Sequence, residues 1–212
     1  MRRMPLGALV AALALGVLVA GCAGESQPSR FYVLSYPTEL AGTESATTMR
    51  DGLGLGIGPV KLPQYLDRSQ IVRRSDGNSL TLDEFDRWGG RLQDNFVTVL
   101  AEVLSDKLET DRVSVYPWSR PEEVDYQVIV NVTAFEIDST GMSVLDARWT
   151  IVDSRRQSVL SMARTSLREA VAKDGASPDQ GVDYDAAAAA MSRNIAELGD
   201  VIAAEVRGLA AR

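Results

Sequence analysis

The sequence predicts an α/β fold of the α+β kind: a single mixed, largely antiparallel sheet with two main helices packed on one face. Three observations predict it. Apolar residues recur at spacings of three and four over Arg91–Leu108 and again over Asp183–Leu209, the signature of two amphipathic helices. Three long alternating segments follow one another between Asp125 and Val171, as in an antiparallel meander. Between them and the N-terminus, Gly52, Gly54, Gly56 and Gly58 mark every second position of one segment. At 212 residues the chain has room for one domain with a substantial core.

The chain opens with a processing segment. Arg2 and Arg3 precede "LGALVAALALGVLVA" (Leu6–Ala20), an apolar run too short for a spanning helix, which needs about 20 residues, and suited to a signal-peptide core. It ends in "VAGC", with the only cysteine of the chain at Cys22. Small residues before a cysteine have the look of a bacterial lipobox, in which the thiol is diacylated and the leader is cut before it. Residues 1–21 are therefore expected to be a lipoprotein signal peptide, 22–30 an acylated cysteine and short polar tether, and 31–212 a periplasmic domain. Several acyl chains, at roughly 0.8 kcal/mol per buried CH₂, hold such a domain at a membrane. By resemblance to other lipoproteins, Ala23 rather than aspartate after the cysteine favours transfer to the outer membrane over retention at the inner one. One cysteine allows no internal disulfide.

The mature elements follow in order. "FYVLS" (Phe31–Ser35) is a first strand, and Tyr36–Arg50 a Thr/Ser/Glu-rich loop. The glycine segment is strictly period two, with Leu53, Leu55 and Ile57 between the glycines, and runs into Pro59 and Pro63 with no helix behind it. A dinucleotide loop needs a following helix and a Walker loop needs GK[ST], so the segment reads as a strand with one bare face, over which a helix or bulky aromatic packs. No cofactor is implied. "SQIVRR" (Ser69–Arg74), a turn at Asp76-Gly77-Asn78 and "SLTL" (Ser79–Leu82) form two short strands. The first helix follows, with Leu92, Phe96, Val99, Leu100, Val103, Leu104 and Leu108 in its stripe.

"RVSVYPW" (Arg112–Trp118) is a strand closed by Pro117. In "DYQVIVNVTAFEI" (Asp125–Ile137), regular alternation puts Tyr126, Val128, Val130 and Val132 on one face and Ile129, Phe135 and Ile137 on the other. Met142–Val152 and Ser158–Val171 complete the meander, and Ala172–Asp183 is a loop. The last helix carries Tyr184, Ala188, Met191, Ile195, Leu198, Ile202 and Val206, capped by Asp183 or Asp185. Its small run Ala186–Ala190 allows close approach to the sheet. The stripe suits packing on the sheet or, with its heptad-like spacing, self-association.

Composition closes several functional routes. Histidine is absent, which removes His-based triads and HExxH zinc sites. The formal charge is −7, with no basic run beyond the leader, so a nucleic-acid partner is excluded on charge. Asp83, Glu84 and Asp86 read as helix-start acids, and Glu122, Glu123 and Asp125 as solvated turn residues. A carboxylate hydrolase would need acids such as Asp67, Asp86 and Glu122 to converge. The segment "LPQYLDRSQIV" places Tyr65, Leu66, Asp67 and Arg68, exposed in appearance, on a loop held by Pro59 and Pro63. It serves either as a binding surface or as a cap on the core.

"FYVL" after a lipobox, "GLGIGPVKLPQYLDRSQIVRR", "LDEFDRWGGRLQDNFVTVLAEVLS", "VSVYPW", "DYQVIVNVTAFE" and "LDARWTIVD" together resemble the ABC-type transport auxiliary lipoproteins of the paraquat-inducible kind. The likeness covers nearly all of the mature chain; "RWGGRL" (Arg87–Leu92) departs from the more proline-containing helix start usual in relatives. The resemblance implies a non-enzymatic lipoprotein on the periplasmic side of the outer membrane. Its partner would be an MCE-domain protein of a phospholipid transport system that maintains envelope integrity, and ring-like self-assembly is implied as well. Pro63, Tyr65, Leu66, Asp67, Arg68, Trp88 and Trp118 are the candidate partner contacts. The alternative is a lipoprotein that scaffolds another outer-membrane complex without lipid traffic.

Overall fold

A computed structural model describes residues 27–37, 52–119, 123–171 and 182–212. The leader, Cys22, Glu122 and most of the loops 36–50 and 172–183 lie outside the described residues. Eight strands form one mixed sheet: β1 (Arg30–Tyr32), β2 (Leu55–Lys61), β3 (Gln70–Arg74), β4 (Leu80–Trp88), β5 (Val113–Val115), β6 (Tyr126–Ile137), β7 (Met142–Asp153) and β8 (Ser158–Ala170). Helices α1 (Leu92–Lys107) and α2 (Tyr184–Ala210) cover one face. The predicted α+β class and helix positions hold. No helix among the described residues is long and apolar enough to cross a membrane.

The meander β6–β7–β8 is antiparallel throughout, as its alternation requires. The other side of β6 is shared: its first half pairs in parallel with β2, and Ile137 at its end pairs with Arg73 of β3. The sheet therefore forks at β6, into a β2–β5 branch and a β3–β4–β1 branch. The fork coincides with a break in register on β6 between Val132 and Ala134. A bulge inserts one residue and reverses the side-chain parity beyond it. Phe135 and Ile137 thereby join Val128, Val130 and Val132 in the core, contrary to the face that unbroken alternation assigns them. Phe135 meets Phe96 of α1 edge-on, with centroids 5.3 Å apart and planes at 90°.

Residues 80–88 are a longer strand than "SLTL" suggested, and this relocates the acidic cluster. Asp83 and Asp86 are not helix-start acids. Asp83 accepts from Arg73 Nε at 2.9 Å, and the buried Asp86 accepts from Arg30 Nε at 2.8 Å and Tyr32 Oη at 2.8 Å. These pairs fasten β1 and β3 to β4. At the head of α2, the Asp183 side chain accepts from the Ala186 N–H at 3.0 Å, the expected cap. The α2 stripe Met191–Ile195–Leu198–Ile202–Val206 is wholly buried against sheet and α1, which decides for sheet packing over self-association. Gly199 makes that crossing close: any Cβ there would press on Val103 of α1.

Candidate functional site

The candidate surface grows out of β2. Leu55 and Ile57 are buried in the core, so Gly54 and Gly56 face away from the helices. The bare face is filled as anticipated, and the filler is an aromatic. A Cβ on Gly56 would lie 2.9 Å from Cζ3 of Trp118 and 2.8 Å from Cγ1 of Val124, and one on Gly54 would collide with the Glu123 carbonyl oxygen. Trp118 packs edge-on against Tyr116, with centroids 5.4 Å apart and planes at 84°. Gly58, at φ +115°, occupies backbone space that favours glycine, and Tyr116 Cβ lies where its side chain would be.

Gly56→Ala should therefore force Trp118 off the sheet, at a cost of about 1–3 kcal/mol. The expected result is a lower melting temperature with a red-shifted tryptophan emission. An unshifted spectrum would mean that Trp118 is not seated on the glycine.

On the helix side of the same strand end, a groove of about 500 Å³ runs between Gly58–Lys61, Val115–Tyr116 and the first turns of α1, including Asp94, Val97 and Thr98. The chain leaves β2 at Lys61 and makes a single 3₁₀ turn, Gln64–Leu66, with Pro63 at its cap position. Leu66 is buried in the core, and Trp88 is too, its backbone N–H donating to the Ser69 carbonyl at 2.7 Å. Both were candidate partner contacts, Leu66 as an exposed one. Instead they plug the core beneath the loop, because an apolar side chain in a tight turn packs inward. Asp67 and Arg68 are exposed; Tyr65, Pro63 and Trp118 are half-buried. The structure thus brings Trp88 to the loop's exit and places Trp118 on the opposite side of β2 from the helices. The segment is both things at once: Leu66 caps the core while Asp67 and Arg68 present a surface.

Tyr65 ties this loop to the fork in the sheet. Its Oη donates to Glu136 Oε2 at 2.8 Å, and the same carboxylate accepts from Arg74 Nε at 2.7 Å and the Phe135 N–H at 2.8 Å. Glu136 is 2% exposed, so this network carries a buried charge with both carboxylate oxygens hydrogen-bonded. Sequence reasoning did not single out Glu136 or Arg74; a lone acid inside an apolar strand, "AFEI", was the available signal. Burial, and next the bond to Glu136, pushes the Tyr65 phenol up to about 12. Burial and the bond to Asp86 push Tyr32 likewise up to about 12.

A phenol whose folded-state value is raised contributes stability that is complete below the unfolded value of about 10 and fades as pH rises through the folded one. The urea midpoint should accordingly hold to about pH 10 and fall between about pH 10 and 12. Phenolate absorbance should lag behind that of the unfolded chain over the same window. Coincident titration of folded and unfolded protein would refute the buried phenols.

Of the acids considered for catalysis, Asp67 is exposed on the loop, Asp86 is bound to Arg30 and Tyr32, and Glu122 lies outside the described residues. Among the described residues, no group of three or more Cys, Asp and Glu stands close enough together to hold a metal ion.

No curated protein matches the chain. Solved structures share its fold, two of them over most of the chain. A crystal structure of an uncharacterized protein aligns with a TM-score of 0.65 and 18% identity, covering 85% of this chain and 99% of the other. Protein XCC0632 from Xanthomonas campestris aligns with a TM-score of 0.60 and 15% identity, covering 82% of this chain and 92% of its own. The sequence profile described as "ABC-type transport auxiliary lipoprotein component" matches residues 32–203, from β1 to the last turns of α2. The chain belongs to that family of auxiliary transport lipoproteins.

Proposed function

We propose that the protein is a non-enzymatic subunit of an ABC-linked phospholipid transport system, anchored by acylated Cys22 to the periplasmic side of the outer membrane and docking an MCE-domain protein. The family match over residues 32–203 carries this reading. The docking surface is the loop after β2, through Asp67 and Arg68, together with the half-buried Tyr65 and Trp118 and the edge of Tyr116. These residues combine a charged rim with aromatic area, the composition of protein interfaces. Pro63 holds the turn that presents them, while Leu66 and Trp88 act from beneath as support. Self-assembly belongs to the same reading.

Photo-crosslinking residues placed at Asp67 and at Tyr116, followed by purification from membranes, test the partner. An MCE-domain protein should be recovered from both sites. The double reversal Asp67→Lys/Arg68→Glu should reduce the yield from Tyr116 while changing stability by no more than about 0.5 kcal/mol, since both side chains are exposed. Recovery of a different outer-membrane complex would favour the scaffold alternative, and no MCE protein from either site would refute the docking surface.

A further inference from the structure

Five large apolar side chains stand exposed together on the β1–β4 branch: Phe31 at 66%, Val33 at 59%, Phe85 at 40%, Leu80 at 38% and Leu82 at 36%. Their common direction follows from strand alternation together with a register shift in β4 between Asp83 and Arg87, which reverses the side-chain parity of the strand there. Tyr32 and Leu34 turn into the core, Tyr32 meeting the Tyr184 ring of α2 at 5.9 Å, so Phe31 and Val33 face away from the helices. In β4, Asp86 and Trp88 are buried beside Tyr32, leaving Phe85 and Arg87 on the outer side, where Arg87 registers with Phe31. Asp83 turns to Arg73, and the residues flanking it in alternation, Leu80 and Leu82, turn outward.

The place of this surface in the chain indicates what covers it. Arg30 is the eighth residue after Cys22, so the tether spans at most about 28 Å when fully extended. The patch begins at the root of that tether. A second exposed apolar cluster, Val159, Leu160 and Met162, lies at the start of β8, which pairs with the end of β7 near the beginning of β6. β1 and β4 instead sit beside β3, which meets β6 at its last residue. The two clusters are thus at opposite ends of the sheet.

We propose that Phe31, Val33, Leu80, Leu82 and Phe85 form a membrane-contact surface, resting on the headgroup–acyl boundary of the bilayer that holds the anchor. The proposal rests on acylation of Cys22 and goes beyond it, since an anchor alone leaves the domain free to tumble. Aromatic and aliphatic side chains suit this boundary. Arg87, on the outer side with Phe31, stands in reach of lipid phosphates. Glu84, 4.0 Å from Arg87, is an acid within the patch and is paired there.

The test uses the full chain made in bacteria fed an alkyne fatty acid, which reports acylation of Cys22 directly. The acylated protein is reconstituted in phosphatidylethanolamine–phosphatidylglycerol vesicles doped with a photoactivatable phospholipid, and adducts are mapped by mass spectrometry. Adducts on peptides containing Phe31 and Phe85 should exceed those on the Met162 peptide several-fold. Phe31→Ser/Phe85→Ser should bring them down to the Met162 level with an unchanged melting temperature. Should that variant fail to fold, the wild-type map decides alone. Acylated protein with Phe31 and Phe85 adducts no higher than at Met162 overturns the patch, as does crosslinking of these residues only to a second copy or another protein. Absence of the acyl label overturns the anchor, and this proposal with it.

Discussion

Phe135→Ala should lower the unfolding free energy by about 3–5 kcal/mol, the largest loss expected of any single truncation in the sheet. The ring is fully buried, stacks edge-on with Phe96 and stands opposite Leu145 of β7, so its removal opens a cavity where strand, neighbouring strand and helix meet. Thr133→Ala, two residues away and exposed in the bulge, should cost no more than about 0.5 kcal/mol. Urea unfolding of the two variants measures the contrast. A loss below about 1.5 kcal/mol for Phe135→Ala would put its side chain on the outer face, where unbroken alternation assigns it, and would remove the bulge from the account of the core.

The second large effect is expected at Glu136. Glu136→Ala withdraws the acceptor shared by Tyr65, Arg74 and the Phe135 N–H. Breaking a fully buried ion pair costs about 3–5 kcal/mol, but the Arg74 side chain is 36% exposed and can turn to water, so about 2–3 kcal/mol is expected. Glu136→Gln keeps the shape and one acceptor oxygen and should lose about half as much. The local consequence separates a latch from a merely buried acid. Amide exchange at Leu66 and Asp67, whose N–H groups bond Pro63 and Gln64 within the turn, should accelerate more than exchange in α2. Uniform acceleration everywhere would refute the latch.

Much of the fold was legible because its signals are local. The α1 and α2 stripes and the β6–β8 meander repeat a period over a dozen residues or more, and period survives packing. The bulge was not legible. "TAFEI" contains apolar residues compatible with either parity, and only pairing with β7 decides where the extra residue goes. The acids at Asp83 and Asp86 misled for a related reason: a carboxylate shortly before a helix looks the same whether it faces the helix or an arginine on another strand. For the candidate site, the proline-bracketed loop and the aromatic over the glycines could be anticipated. The inward turn of Leu66 and Trp88 could not, nor could the meeting of Tyr65 with Glu136, 71 residues away.

The fork at β6 also sets the valence of the molecule. An unforked sheet has two edges; this one ends at β1, β5 and β8. Two of those edges are three residues long, while β8 offers thirteen. Joined β8 to β8, two copies would share identical surfaces about a two-fold axis and the assembly would stop at a pair. A closed ring needs two different surfaces that meet in a repeating head-to-tail sense. Among the described residues β1 and β5 each offer only three, so a ring that joined β8 to either of them would leave most of β8 unpaired.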